Sequence, residues 1–367
     1  MNTLILYRKH RGNTYSYYRF IRELIERFGL EHVREIYFYK TDTDVAACAD
    51  NSIFLLPLAD ATGLNLAWWY NVKLPAIARK LKAEKVVYIN CLPAKKIRAP
   101  QKCIFTDVEF ITQANKLTNY QKYLKKNLVA RLKHAQKVIT YSGHAKQVLQ
   151  NFIAAKTTTP EVEVIPAAAN HMFMERSFNE KEIRKDNLTF GEEYFLAKID
   201  PHEEQQFVEL LKAFTVFKQW QKSNMKIVVS GLESSITNSL KRKAASYKFK
   251  DDVVILTEEH EDVYAEIISA AYAYLLVTGK DADIMPAVEA MQSQTLLMSY
   301  GLPSLKEIAG AAMTQLIEND YEALGRQMIE VYKNEEKREQ QIEKGSALIS
   351  SFDYEISKQL LFDLLLH

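Results

Sequence analysis

The densest run of chemically versatile side chains lies between residues 280 and 291, where the chain reads KDADIMPAVEAM. Asp281 and Asp283 form a D-x-D spacing able to turn two carboxylates toward a metal ion. Such pairs recur often by chance, and the plainer reading gives Asp283 to the cap of a helix beginning near Met285. Lys280 adds a cation before the pair and Glu289 a third acid after it; taken alone, Glu289 reads as a solvated helix residue. A second mixed-charge run, AKIDPHEEQQF (197–207), sets Lys198 and His202 beside Glu203 and Glu204. Near the N-terminus, Arg11, Gly12 and Asn13 follow an apolar run. Gly12 allows a tight turn close to a ligand, although an ordinary strand-to-helix turn accounts for it as well. The eight histidines show no metal-ligand spacing and no pairing with a Ser or Cys nucleophile motif, so zinc chemistry and triad hydrolysis are unsupported.

These residues sit at the ends of a repeating pattern. Apolar runs at 3–7, 35–40, 52–58, 85–90, 103–108, 137–142 and 162–167 read as strands, with helices at 15–28, 72–82 and 119–134 between them. The pattern lapses in the polar stretch 171–190 and then restarts. Strands at 193–199, 226–231, 253–257, 273–277 and 295–299 alternate with helices at about 203–219, 233–246, 261–270 and 287–292, followed by a helical C-terminal region. Continuous apolar strands separated by helices predict parallel sheets covered on both faces, and two such series predict two doubly wound α/β units in tandem. A length of 367 residues agrees with two cores.

The charge is divided unevenly. Residues 1–170 hold 26 Lys and Arg against 13 Asp and Glu, and residues 171–367 hold 22 against 33, giving +13 and −11. A basic first half implies an anionic partner, or attraction between the halves themselves. The basic stretches 73–85 and 116–137 alternate with apolar residues, and Trp68, Trp69 and Tyr70 precede the first. That combination suits peripheral contact with an anionic membrane, with a solvated amphipathic helix as the simpler alternative. No recognised nucleic-acid module accompanies the charge, so nucleic acid is not an expected partner. Three cysteines without CxxC spacing point to a reducing compartment, and no signal segment or spanning apolar stretch stands out. The expected location is the cytoplasm, or the inner face of the cell membrane.

The segment VVILTEEHEDVYAEIISAAYAYLLVTGKDADIMPAVEAMQSQTLLMS (253–299) resembles the donor-site region of family 4 glycosyltransferases, with Pro286, Glu289, Ala290 and Met291 at matching places. Residues 301–332 and 351–361 are similar to that family's following helix and terminal segment. KVITYSGHAKQVL (137–149) resembles an upstream strand and helix through Ser142 and Lys146, and FTDVEF (105–110) its H-D-L loop. The resemblance implies a GT-B architecture: two Rossmann-like domains facing across a cleft, an acceptor domain at 1–175, a nucleotide-sugar domain at 176–350, and a C-terminal helix at 351–367 that returns to the first.

It further implies retaining transfer of a hexose from a nucleoside diphosphate sugar to a saccharide or lipid-linked acceptor, with no cofactor and no metal. By this resemblance Asp281 faces the transferred sugar, Glu289 takes the ribose hydroxyls, and Lys198, Lys280 or His202 neutralises the diphosphate. Gly231, Thr257 and Ser299 complete the donor site, Thr106 and Asp107 face the reacting sugar, and Gly12, Asn13 and Ser142 line the opposing loops. The chain departs from the pattern where Glu203 and Glu204 replace a basic pair, where Thr106 replaces a His, and where Ala282 to Met285 replace a glycine-rich turn. Those departures leave open a catalytically inactive relative that binds a sugar, a nucleotide or a partner protein.

Overall fold

The computed structural model describes residues 3–8, 33–39, 53–57, 63–113, 117–154, 160–199, 204–220, 222–230, 234–256, 260–281 and 284–366. The chain divides into two compact units, the second centred on residues 167–354 and the first taking the rest of the described chain, the C-terminal residues from Glu355 included.

In the first unit, seven strands, β1 (Thr3–Arg8), β2 (Val33–Tyr39), β3 (Ile53–Pro57), β4 (Lys85–Ile89), β5 (Gln101–Phe105), β6 (Lys137–Thr140) and β7 (Val162–Val164), form one sheet in the order β3-β2-β1-β4-β5-β6-β7. Each pairing is parallel. The helices among its described residues are α1 (Gly63–Trp68), a π turn at Trp69–Lys73, α2 (Leu74–Lys80), the single turn α3 (Glu109–Thr112), α4 (Asn119–Leu132) and α5 (Gly143–Ala154). β4 and β5 are buried along their whole length, as strands covered on both faces must be.

In the second unit the order is α6 (Phe178–Thr189), β8 (Tyr194–Lys198), α7 (Glu204–Trp220), β9 (Lys226–Ser230), α8 (Ser234–Ala245), β10 (Val253–Ile255), α9 (Glu261–Ala270), β11 (Ala273–Leu276), α10 (Ile284–Gln292), β12 (Leu296–Tyr300), α11 (Pro303–Ala309), β13 (Met313–Leu316), α12 (Tyr321–Lys333) and α13 (Glu335–Ile349). The sheet order is β10-β9-β8-β11-β12-β13. A last helix, α14 (Tyr354–Leu366), joins the first unit from Glu355 onward, where the Ser357 hydroxyl donates to the Pro166 carbonyl at 2.9 Å and Leu361 is buried.

Each sheet has its own apolar core, one around Leu4, Val86, Tyr88, Phe105 and Leu128, the other around Phe195, Phe207, Phe214, Phe217 and Met298. α7 and α12 pack closely because Gly325 has no side chain: a Cβ there would stand 2.7 Å from the Ala213 carbonyl.

Both sheets are doubly wound, as the alternation predicts. The series reverses direction between β1 and β4 in the first unit and between β8 and β11 in the second. Four local readings change. The stretch 171–190 contains α6, whose capping box joins Ser177 and Glu180, so the lapse in pattern hides a helix with few buried positions. β13 lies in a region read as helical. It is a four-residue edge strand inside an alanine-rich run, too short to display a period of two. β5 ends at Phe105, placing Thr106 and Asp107 in a turn instead of a strand. Helix α10 begins three residues earlier than the pattern indicates. The helix expected at 15–28 lies outside the described residues.

Candidate functional site

In open parallel sheets, ligands bind beyond the carboxyl ends of the strands where the strand order reverses. In the second unit that place is set by β8 and β11, which run in register to the pair Lys198 and Leu276. One more bond, from Val277 N to the Lys198 carbonyl at 3.2 Å, holds them before they diverge. Lys198 is therefore fixed by a strand end at the reversal point. Its side chain is 8% exposed and makes no hydrogen bond or ion pair among the described residues.

After β11 the chain passes through Thr278, Gly279, Lys280 and Asp281 and enters α10 at Ile284. Every residue of α10 from Ile284 to Met291 is buried. Pro286 is tolerated because first-turn amides have no helical acceptor to lose. The amino end of this helix follows directly from the reversal-point strand and presents amide dipoles suited to an anion. Glu289 is 4% exposed, so the solvated reading fails. A carboxylate so deep is retained only in a polar or charged setting.

Asp281 is already engaged. Its two oxygens accept from the Ser304 amide at 2.7 Å and the Ser304 hydroxyl at 2.6 Å. Ser304 is the second residue of α11, so the carboxylate satisfies an orphan amide at a helix start and ties the β11 turn to it. Ser299 is fully buried and donates to the Leu276 carbonyl at 2.9 Å, a tie between two strands.

Of the two acids that stand where the resembled family has a basic pair, Glu204 lies among the described residues. Glu204 turns toward α8, accepting from Ser239 at 2.7 Å and pairing with Lys243 at 2.7 Å, and Lys243 holds its carboxyl below the usual range. Glu203 and His202 lie outside the described residues, as do Gly12, Asn13, Gly231, Thr257 and Asp283.

A shallow depression opens beside the same sheet edge, lined by Gln206, Glu209, Val277, Tyr300, Asp320 and Tyr321 among others. Burial, then Glu209 and Glu318, pushes the Tyr300 phenol up to about 12.

In the first unit Thr106 and Asp107 lie just beyond β5, at the carboxyl edge. Their organiser is Asn90, which the sequence reading passed over. Asn90 takes a left-handed backbone with φ of 51°, a conformation Asn adopts more readily than most residues. Its amide oxygen accepts from Thr106 N at 2.9 Å and Asp107 N at 3.4 Å, and its Nδ2 donates to Thr106 Oγ1 at 2.7 Å. Asp107 Oδ1 accepts from Glu109 N at 2.7 Å at the start of α3. Asn90 directly follows β4, one of the two strands at this sheet's reversal, and that was the available signal. Ser142 is buried and caps α5, its Oγ accepting from Ala145 N at 3.0 Å.

The structure thus brings Lys198, Lys280 and Asp281 to one sheet edge with α10 behind them, and Thr106 and Asp107 to the edge of the other sheet. Ser299 and Ser142 bond inward.

Residues 179–347, which span the second unit's sheet, match the family Glycosyl transferases group 1. Among curated proteins none matches the sequence significantly. Solved structures resemble the chain over its full length. WaaG, a glycosyltransferase involved in lipopolysaccharide biosynthesis, aligns with a TM-score of 0.74 at 14% identity, covering 100% of this chain and 99% of its own. HepE of Anabaena, in complex with UDP and glucose, gives 0.72 at 13% identity, covering 99% of each chain. A glycosyltransferase from Rickettsia africae gives 0.68 at 13% identity, covering 99% and 97%. The fold is GT-B.

Proposed function

We propose that this protein transfers a hexose from a nucleoside diphosphate sugar to a saccharide or lipid-linked acceptor, with retention and in the manner of family 4 glycosyltransferases. The observation that carries the reading is the match of residues 179–347 to a glycosyltransferase family across the sheet whose reversal point presents Lys198 and the amino end of α10. The complex of HepE with UDP and glucose supports a nucleotide-sugar donor.

In this reading the second unit holds the donor and the first receives the acceptor. Lys198, with Lys280 nearby in sequence, neutralises the diphosphate as the sugar's anomeric carbon leaves it, and the α10 amides add dipolar stabilisation in a site of reduced dielectric. Glu289 is assigned to the ribose hydroxyls, Asp281 to the hexose, and Asp107 and Thr106 to the reacting sugar. The transfer is proposed to need no metal or cofactor, and no covalent protein intermediate is assigned.

One observation favours a second reading, an inactive relative that binds a sugar, a nucleotide or a protein. The Asp281 carboxylate already has a structural use, accepting from the Ser304 amide and hydroxyl as a tie between two turns.

Calorimetric titration with uridine and guanosine diphosphates, followed by donor hydrolysis, distinguishes the two. Binding weakened about tenfold or more by Glu289→Ala, together with turnover, supports transfer. Absence of binding by either diphosphate at millimolar concentration removes the enzymatic reading.

A further inference from the structure

The outer face of α1, the π turn and α2 carries large apolar side chains that stand exposed among the described residues. Leu64 is 82% exposed, Trp68 55% and Val72 48%, and they recur every fourth residue along one side of the helical run. The opposite side is ordinary core: Leu66, Trp69, Tyr70, Leu74 and Ala78 are buried against the first sheet. Apolar surface in that quantity on a helix already anchored by its other face marks a contact with something else.

The surrounding charge says what. Lys73, Arg79, Lys80 and Lys82 are exposed beside the stripe, and Glu84 is the one acid between residues 63 and 84. None of the four cations has an ion-pair partner among the described residues. Lys73 holds its ammonium 5.7 Å from the Trp68 ring, so charge and aromatic belong to one surface. α1 packs on α4, which adds exposed Lys122 and Lys126, also without ion-pair partners among the described residues. Between residues 63 and 137 the chain has sixteen Lys and Arg and three Asp and Glu.

The geometry points to a membrane-docking surface, on which Leu64, Trp68 and Val72 enter the headgroup and acyl boundary of an anionic bilayer while Lys73, Arg79, Lys80 and Lys82 meet its phosphates. Aliphatic side chains at the centre, an indole at the border and cations at the rim reproduce the layering of such an interface. The run of 18 residues from Gly63 to Lys80 lies in the plane instead of crossing it, since no described helix is long and apolar enough to span a membrane.

A second copy of the chain fits this face poorly, because a two-fold dimer would set the same cations against one another. Nucleic acid would use the charge but leave Leu64 and Val72 without a partner. The surface is independent of the proposed transfer, and it would serve that reaction with a lipid-linked acceptor.

Flotation of the full chain with phosphatidylcholine vesicles, with and without about a third phosphatidylglycerol, tests this. Wild-type protein floats with the anionic vesicles, and added salt weakens the association. Leu64→Ser/Trp68→Ser/Val72→Ser reduces partitioning by about tenfold or more. Lys73→Ala and Lys80→Ala each reduce it about fivefold at low salt. All variants keep the wild-type circular dichroism and the wild-type response to uridine diphosphate, so loss of docking is not confused with loss of fold or of donor binding. Equal flotation with neutral and anionic vesicles overturns the assignment, as does unchanged binding by the triple variant. Self-association that the triple variant abolishes, without vesicle binding, would give the face to a second copy instead.

Discussion

Replacing Lys198 by methionine separates the needs of the fold from those of a ligand. The side chain is 8% exposed, stands at the end of β8 where the sheet reverses, and has no polar partner among the described residues. Methionine fills the volume of the lysine stem without the charge, so the unliganded protein should hold its melting temperature or gain up to a few degrees. A phosphate oxygen about 3 Å from the ammonium gains roughly 5 kcal/mol of gross Coulomb energy at an effective dielectric of about 20. Desolvation cancels most of it, leaving about 1.5–3 kcal/mol for a charge-assisted hydrogen bond, or roughly ten- to a hundredfold in Kd.

Calorimetric melting with and without uridine or guanosine diphosphate reads both effects together. At free ligand about a hundredfold above the wild-type Kd, binding stabilises the native state by about 2.7 kcal/mol. A tenfold weaker variant retains about 1.4 kcal/mol, and a hundredfold weaker one about 0.4 kcal/mol. An affinity unchanged within about twofold would refute the assignment of Lys198 to the diphosphate. A marked fall in the unliganded melting temperature would show that the ammonium serves the fold.

Three further outcomes follow from contacts in the two units. Asp281→Ala removes both acceptors of Ser304 and should cost about 1–2 kcal/mol in urea unfolding whether or not the protein is an enzyme; activity lost beyond that fraction, measured at a temperature where the variant is folded, assigns Asp281 a role toward the sugar. Asn90→Ala leaves Thr106 N and Oγ1 without their partner and places Ala at a positive φ, an expected loss of about 2–3 kcal/mol, whereas Asn90→Gly relieves the backbone and should lose measurably less. Burial, followed by Lys85 and Lys137, brings the buried Lys102 ammonium down to about 8, so between there and its unfolded value the unfolded chain binds more protons. Wild-type stability relative to Lys102→Met should therefore rise as pH climbs from about 8 toward 10.5, and a gap that stays constant or narrows across that window contradicts the shift.

Much of the fold is legible in the chain because parallel strands buried on both faces leave continuous apolar runs, such as KVVYI and YFLAK, that match β4 and β8. What was missed has local causes. MTQL is too short and too mixed to announce β13, and α6 buries too few residues to show a helical period, although its capping box was there to be read. The burial of Glu289 was also within reach: IMPAVEAM is apolar on every side, which marks an enclosed helix, and a single acid in such a helix cannot be solvated. The triangle of Asn90, Thr106 and Asp107 was not, because it joins the ends of neighbouring strands 16 and 17 residues apart, and sequence spacing carries no record of which side chain reaches across.

The polar groups around the second sheet's carboxyl edge divide by what they already hold, and that division governs how a donor would be recognised. Ser230 bonds to the Ala197 carbonyl, Ser299 to the Leu276 carbonyl and Asp281 to Ser304, so each has a structural use that a ligand does not alter. Rigid groups of this kind shape a site and give little differential energy on binding. Lys198 differs, since a partly buried cation without a polar partner among the described residues gains most when an anion arrives. The amino end of α10 acts in the same sense, its dipole set by a helix buried throughout and unable to reorient. Affinity at this edge should accordingly follow the negative charge of the ligand. A diphosphate should bind more tightly than its monophosphate by roughly tenfold or more, and Lys198→Met should erase most of that difference. A site recognising chiefly the nucleoside or the sugar would show neither effect, and calorimetry with a mono- and diphosphate pair on the two proteins distinguishes these cases directly.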